Sequence, residues 1–153
     1  MSNTYTQIYI QIVFAVKGRQ NLIPKSKKEL LHRFITGIVK GRNQKLFAIH
    51  CMPDHVHILI GIRPTENISD LVRDIKAGSS GFINDKKWVV GKFQWQSGYG
   101  AFSYSHSQLN HVINYIDRQE EHHRNASFKD EYVMFLKKFN VEYDDKYLFD
   151  WIE

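Results

Sequence analysis

Residues 51–61 constrain the fold of this chain more strongly than any other stretch. Apolar and histidine residues alternate there, and successive side chains of a β-strand point to opposite faces of its sheet. His55 and His57 would share one face, and the other would carry Val56, Ile58, Ile60 and Ile62. Because four branched apolar side chains favour burial, the alternation predicts a strand with a core on one side and two neighbouring imidazoles on the other.

The rest of the chain supplies the partners of this strand. Residues 4–16 also alternate, and Lys45–Met52 is a second strand that forms a hairpin with the histidine strand through Pro53 and Asp54. The aromatic and basic residues 86–96 favour a fourth strand, with a short partner strand over residues 101–104. Apolar residues recur at helical spacing in four further segments, over residues 25–42, 68–82, from 105 onward and 128–139.

This order of elements predicts an α+β chain with a ferredoxin-like, split βαβ antiparallel sheet. Both crossover helices would cover one face of the sheet, and the C-terminal helices would follow. The opposite face, with His55 and His57, is expected to be open. We expect residues 1–153 to form a single domain, because the chain has no linker-like or repeated segment.

Charge and cysteine content indicate the kind of partner and the cellular location of the protein. The net charge of +5 and the pI near 9.3 favour a polyanionic partner. Cys51 is the only cysteine, so an internal disulfide is impossible and an intracellular, cytoplasmic location is expected. No apolar run reaches the length of a membrane span, so a membrane partner is not expected.

The two histidines have two interpretations. Imidazoles two apart on a strand can ligate one divalent ion, but they can equally be ordinary surface residues. The helix from residue 105 adds Tyr115 and Gln119, which lie four apart on one flank of its apolar stripe together with His111 and His122. A tyrosine hydroxyl can attack a phosphodiester, and a metal ion can polarise that phosphate.

The same residues resemble a known family. His55-Val56-His57, followed by Tyr115 and Gln119, is similar to the HUH-type, single-tyrosine transposases of small bacterial insertion sequences, including those associated with REP elements. Residues 6–14, 52–57 and 95–103 carry further similarity, so the likeness covers nearly the whole chain in order.

The resemblance implies a role for each motif residue. His55, His57 and Gln119 would bind a divalent metal, Mg²⁺ or Mn²⁺, and Tyr115 would be the nucleophile. The substrate would be single-stranded DNA with a hairpin at the element ends, cleaved through a 5′-phosphotyrosine and rejoined. The protein would act as a homodimer, in which the tyrosine helix of one subunit can complete the active site of the other.

Basic and aromatic residues provide candidate DNA contacts, because phosphates attract cations and unstacked bases stack on aromatic rings. The candidates are Lys17, Arg19, Lys25, Lys28, Lys87, Lys92 and Trp95. Two alternatives stay open from the residues alone. One is a nicking enzyme that resembles HUH replication initiators, and the other is a non-catalytic ferredoxin-like nucleic-acid-binding module. A nucleotide hydrolase of the histidine-triad kind is disfavoured, since position 59 is Leu59.

Overall fold

A four-stranded antiparallel sheet organises the chain. The structure is a computed structural model, and it describes residues 3–123, 126–144 and 148. The sheet has the order β2-β3-β1-β4. Its strands are β1 (Tyr9–Ala15), β2 (Lys45–Met52), β3 (His55–Gly61) and β4 (Gly100–Tyr104).

Five α-helices accompany the sheet in the described part of the chain: α1 (Lys28–Gly41), α2 (Ile68–Asp85), α3 (Leu109–Asp117), α4 (Gln119–His122) and α5 (Phe128–Lys138). Ser105 and Gln108 form a reciprocal capping box ahead of α3, and Ser127 caps α5. The order of elements confirms the prediction of a ferredoxin-like α+β fold.

The first face of the sheet packs against α1 and α2. Val56, Ile58 and Ile60 of β3 are fully buried there, as the alternation predicts. The two helices approach closely at Gly78, where an added Cβ would lie 2.8 Å from Cδ1 of Ile38. Gly78 lies inside α2, which continues without interruption to Asp85.

The second face of the sheet is covered, so the prediction of an open face is wrong. Helices α3 and α5 pack over it and form a second core with Val13, Ala15 and Leu59. His55 and His57 keep only 1% and 0% of their surface exposed. The physical reason is that this face is itself mostly apolar, so its exposure to water would be unfavourable and helices cover it. The apolar residues of α5 that cover it are Phe128, Phe135 and Leu136.

The predicted fourth strand over residues 86–96 is also wrong. The segment is irregular, because Lys87 and Gly91 adopt positive φ angles of 53° and 82°. The Asn84 side chain bonds to both backbone groups of Phe93 in place of a neighbouring strand. Sheet pairing is limited to an isolated bridge between Val16 and Trp95, and residues 100–104 provide the fourth strand.

Truncation on each face of β3 tests this two-sided burial. Ile58→Ala and Leu59→Ala are each expected to lower the free energy of unfolding by about 2–5 kcal/mol, because both residues are fully buried in opposite cores. Val90→Ala, at an exposed site, should change it by less than about 0.5 kcal/mol. Urea unfolding measures all three. A cost for Leu59→Ala as small as that for Val90→Ala would mean that the second face is open.

Candidate metal and phosphodiester site

The histidine pair lies at the centre of the second face, and a neighbouring side chain orients each ring. The Nδ1–H of His55 donates to the Asp54 carboxylate over 2.6 Å. The Nδ1–H of His57 donates to the carbonyl oxygen of Gln11 over 2.7 Å, and the amide of Gln11 donates in turn to Tyr104. Both Nε2 atoms therefore face the same space, where each can bind a proton or a metal ion.

Glu131 of α5 occupies that space. One carboxylate oxygen, Oε1, lies 2.8 Å from Nε2 of His57 and 3.6 Å from Nε2 of His55. The other oxygen accepts a hydrogen bond from the Tyr115 hydroxyl and another from the Gln119 amide, the latter over 3.2 Å. One carboxylate thus connects the candidate nucleophile to the histidine pair.

Two further side chains complete the cluster. Nε2 of His123 lies 3.2 Å from Oε1 of Glu131 and 3.1 Å from the carbonyl oxygen of Gln119. The same Gln119 oxygen lies 3.3 Å from Nε2 of His55. The structure thus brings together all four motif residues named from the sequence, which are His55, His57, Tyr115 and Gln119.

The donor set fits a divalent cation. One ligand atom from each of His55, His57, His123 and Glu131 lies within 4.8 Å of the others. The two oriented imidazoles and the carboxylate all present lone pairs to one point, and acceptors packed this closely need a cation or protons between them. Neutral imidazole nitrogen and carboxylate oxygen are common ligands of divalent metals.

Burial and charge shift the pKa values of the candidate nucleophile and of its carboxylate partner. Burial, reinforced by the adjacent Glu131 carboxylate, raises the pKa of the Tyr115 hydroxyl well above its usual value. Burial alone would raise the pKa of the Glu131 carboxyl, but His57, His123 and Tyr115 outweigh it and hold that pKa below its usual range. Glu131 is therefore an ionised acceptor for the Tyr115 proton.

The helix that carries Tyr115 ends sooner than its sequence suggests. Arg118, with φ −103° and ψ 29°, separates α3 from α4, yet Gln119 still points back into the site and is fully buried. Glu120 anchors α4 to the rest of the molecule through Lys28 at 2.9 Å and His50 at 3.2 Å. Of the other flank residues, His122 stacks on Tyr115 at 4.3 Å, and His111 is exposed.

Sequence reasoning missed four members of the site. Asp54 looks like a turn residue, although it directly precedes His55, and Gln11 looks like an ordinary strand residue that only the pairing of β1 with β3 brings beside His57. His123 lies one position beyond the flank. For Glu131 a signal exists: it shares a helix face with Phe128 and Phe135, and a carboxylate on a buried helix face requires a partner.

The candidate DNA contacts separate into two groups. Lys17, Lys92 and Trp95 line one cleft of about 690 Å³ between α2 and residues 92–99, beside Arg73 and Lys76. Lys25 and Lys87 are exposed elsewhere, Lys28 is paired with Glu120, and Arg19 follows β1 in a single 3₁₀ turn. The structure therefore gathers three of the seven predicted contacts in one place.

Trp95 has a different environment from the one expected of a base-stacking residue. Its ring makes edge contacts with Phe14 at 4.8 Å and Phe93 at 4.9 Å, and its indole N–H donates to the Ser79 hydroxyl. The indole ring and its N–H therefore mainly stabilise the core under α2. Tyr99, a half-buried residue of the same cleft, is a second aromatic surface there, and its hydroxyl lies 2.6 Å from that of Ser69.

The ring-orienting contacts make a prediction of their own. Asp54→Ala removes the partner that fixes the tautomer of His55, and it should weaken binding of Mn²⁺ by about 10–100-fold while the fold is kept. Isothermal titration calorimetry of the purified protein measures this. Asp70→Ala, on the exposed first turn of α2, is the matched control. Equal affinities for both variants would show that Asp54 has no role in orienting the ring.

Comparisons with known proteins agree with this fold. Residues 4–119 match the family described as IS200-like transposase. The ISDra2 transposase TnpA of Deinococcus radiodurans is 23% identical over 120 residues, which cover 75% of this chain and 86% of that protein. A crystal structure of a putative transposase from Deinococcus radiodurans has a TM-score of 0.61 at 22% identity, over 78% of this chain and 95% of that one.

A second solved structure, a REP-associated tyrosine transposase bound to a REP hairpin, also has a TM-score of 0.61, at 15% identity, over 80% of this chain and 73% of that one. At these identities the two structures show a common fold. Because the family match spans most of the chain, this protein belongs to the IS200-like transposase family, whose members are tyrosine transposases. The resemblance seen in the sequence is confirmed. Among the described helices, none is long and apolar enough to cross a membrane.

Proposed function

We propose that this transposase cleaves and rejoins single-stranded DNA at the ends of an insertion sequence, with Tyr115 as nucleophile. The observation that carries the proposal is the contact of Tyr115 with Glu131, whose other carboxylate oxygen lies 2.8 Å from His57. A tyrosine that only filled the edge of a core would not need an ionised partner shared with two oriented imidazoles.

The chemical step is a transesterification. The Tyr115 oxygen attacks the scissile phosphorus, so that a bond from phosphorus to tyrosine oxygen forms and the bond to the 3′-oxygen breaks. Glu131 Oε2 accepts the proton of Tyr115 in this step, which its hydrogen bond from the Tyr115 hydroxyl supports. The departing 3′-oxygen becomes a hydroxyl by taking up a proton. In the reverse direction a 3′-hydroxyl attacks the 5′-phosphotyrosine and releases Tyr115, and no nucleotide cofactor is consumed.

His55, His57 and Gln119 would hold a divalent metal in this function, either Mg²⁺ or Mn²⁺. The ion would supply Lewis-acid stabilisation of charge on the phosphate oxygens. The residues themselves provide the arrangement that this requires, with ring orientation fixed by Asp54 and Gln11 and the Gln119 oxygen directed towards His55.

Substrate access depends on α5. Gln119 and Glu131 are 0% and 4% exposed, and Phe128 of α5 stacks on His55 at 4.1 Å. We infer that side chains of α5 such as Phe128 shift to admit a phosphodiester, while Glu131 keeps its contact with Tyr115. The basic cleft provides an approach to this point. Gln96, Gly98 and Tyr99 line both the cleft and a smaller pocket that extends to Phe128.

The cleft has the chemistry of a strand-binding surface. Lys17 and Lys92 supply positive charge, and the half-buried Tyr99 offers an aromatic ring. Lys76 is used differently, since its ammonium donates to the carbonyls of Gln96 and Gly98 over 2.8 and 2.5 Å and burial lowers its pKa to about 8. We propose that single-stranded DNA follows the cleft towards α5.

Removing cleft charges should weaken DNA binding in a salt-dependent way. Lys17→Ala and Lys92→Ala are each expected to lower affinity for single-stranded DNA and to reduce the slope of log K against log salt by about 0.7. Fluorescence anisotropy at several salt concentrations measures the slope. Lys40→Ala, on α1 and outside the cleft, is the control. Unchanged slopes in both cleft variants would locate the DNA elsewhere.

The test of the function uses DNA that carries a hairpin from the element's own end. Protein, Mn²⁺ and end-labelled single strands are incubated and separated on a denaturing gel. The proposal predicts a covalent protein–DNA band with label 3′ of the cleavage site only, and no such band with EDTA. Binding without any adduct on the element's own ends would favour a nucleic-acid-binding module.

We further propose a homodimer, a single domain over residues 1–153 and a cytoplasmic location, each expected from the sequence and its family resemblance. Within one chain Tyr115 already lies beside its own histidines, with ring centroids of Tyr115 and His57 6.3 Å apart. A dimer that exchanges α3 would replace this contact by the same contact between subunits. Light scattering at working concentration tests the dimer, and a monomer mass would contradict it.

A further inference from the structure

We propose that His123 and Glu131 are metal ligands alongside His55 and His57, and that the resulting three-histidine, one-carboxylate set selects a transition ion such as Mn²⁺, Co²⁺ or Zn²⁺ over Mg²⁺. This inference rests on the proposed function in one respect, namely that the histidine pair binds a metal. Glu131 and the whole of α5 lie beyond the residues that match the family, as does His123.

The spacing of the donor atoms supports the larger set. Oε1 of Glu131 lies 2.8, 3.2 and 3.6 Å from the Nε2 atoms of His57, His123 and His55. Nitrogen and oxygen ligands at 2.0–2.1 Å from one ion in a tetrahedral arrangement are about 3.3 Å apart.

The positions of the backbone make this spacing a property of the fold. His55 and His57 are on the central strand β3, His123 follows α4, and Glu131 is on α5 between two residues of the second core, Phe128 and Phe135. Hydrogen bonds to Asp54 and Gln11 fix the rings of the strand pair. Three separate elements therefore contribute donors, and none of the four needs a new rotamer to face the others.

The donor types decide the class of metal. Mg²⁺ prefers oxygen ligands and keeps several waters, so a pocket with three imidazole nitrogens and burial of this degree suits it poorly. Imidazole with carboxylate suits first-row transition ions, whose affinities rise from Mn²⁺ to Co²⁺ and Zn²⁺ at comparable sites. Gln119, which faces His55 and His123, adds a neutral oxygen and does not change this preference.

The test is metal binding by the full-length, metal-free protein without DNA. Titration with Co²⁺ is followed by visible absorption, and Mn²⁺, Zn²⁺ and Mg²⁺ are compared by calorimetry. We expect one site per chain, an absorption band typical of nitrogen-rich Co²⁺, and at least about tenfold weaker binding of Mg²⁺ than of Mn²⁺. Glu131→Gln and His123→Asn should each weaken binding of Mn²⁺ by about tenfold or more.

Matched controls are Glu121→Gln and His111→Asn, which change the same residue types at exposed positions. If Glu131→Gln does not fold, as judged by circular dichroism, the half-buried His123→Asn carries the test. Mn²⁺ affinity that is unchanged in the cluster variants, or Mg²⁺ bound as tightly as Mn²⁺, would overturn the inference. If His57→Asn loses Mn²⁺ binding while Glu131→Gln and His123→Asn keep it, the inference is overturned but the proposed function stands. Retention of Mn²⁺ binding even in His57→Asn would instead contradict the metal role of the histidine pair.

Discussion

Tyr115→Phe is expected to abolish the covalent protein–DNA adduct, with a loss of cleavage of about 10⁴-fold or more. The substitution removes one oxygen and leaves the ring, which stacks on His122 and makes an edge contact with Phe135 at 5.8 Å. The fold and DNA binding should therefore be retained. A denaturing gel with end-labelled hairpin DNA measures the adduct, and anisotropy measures binding.

Tyr132→Phe is the matched control for this variant. Tyr132 lies on α5 one residue after Glu131, but its ring contacts Phe128 and lies on the side of the helix near Gly100. Its hydroxyl should be dispensable, and the adduct should form at a rate close to that of the unaltered protein. An adduct that persists in Tyr115→Phe and disappears in Tyr132→Phe would show that the nucleophile is Tyr132 and not Tyr115.

His57→Asn should be the second most damaging change. It removes the imidazole nitrogen nearest to Glu131 and leaves the Gln11 carbonyl without its donor. We expect Mn²⁺ affinity and adduct formation each to fall by about 10²-fold or more. The free energy of unfolding should fall by about 1–3 kcal/mol, because the residue is fully buried. Calorimetry, the gel assay and urea unfolding give the three values.

His50→Asn separates the loss of a metal ligand from the loss of any buried histidine. His50 pairs directly with His57 across β2 and β3, yet its Nε2 faces Glu120 outside the cluster. The control should lose some stability and keep Mn²⁺ binding. If His50→Asn and His57→Asn weaken Mn²⁺ binding equally, the cluster around Glu131 does not define the metal site.

The parts of the fold that could be predicted from the sequence are those set by local periodicity. The alternation in β3 identified both the buried row and the facing histidines, and the Ser105 and Ser127 caps located two helix starts. The order of the elements then limited the topology to one common arrangement. The family resemblance added the roles of Tyr115 and Gln119, which helical spacing alone placed on one flank.

Non-local packing decided what could not be predicted. Whether the second face of the sheet is open depends on where α5 docks, and the amphipathic pattern of α5 does not name its partner. Residues 86–96 have the aromatic composition of a strand, but their φ angles and the Asn84 contacts give a loop. Gln11 gains its role only through its contact with His57 between β1 and β3, which no single segment reveals.

Peptide mapping of the adduct tests the central claim most directly. The protein is allowed to react with hairpin DNA in Mn²⁺, the DNA is trimmed with nuclease, and tryptic peptides are analysed by mass spectrometry. The account predicts a nucleotide joined through its 5′-phosphate to Tyr115, in the peptide that ends at Arg118. Modification of another residue, or a 3′-linked nucleotide on Tyr115, would contradict it.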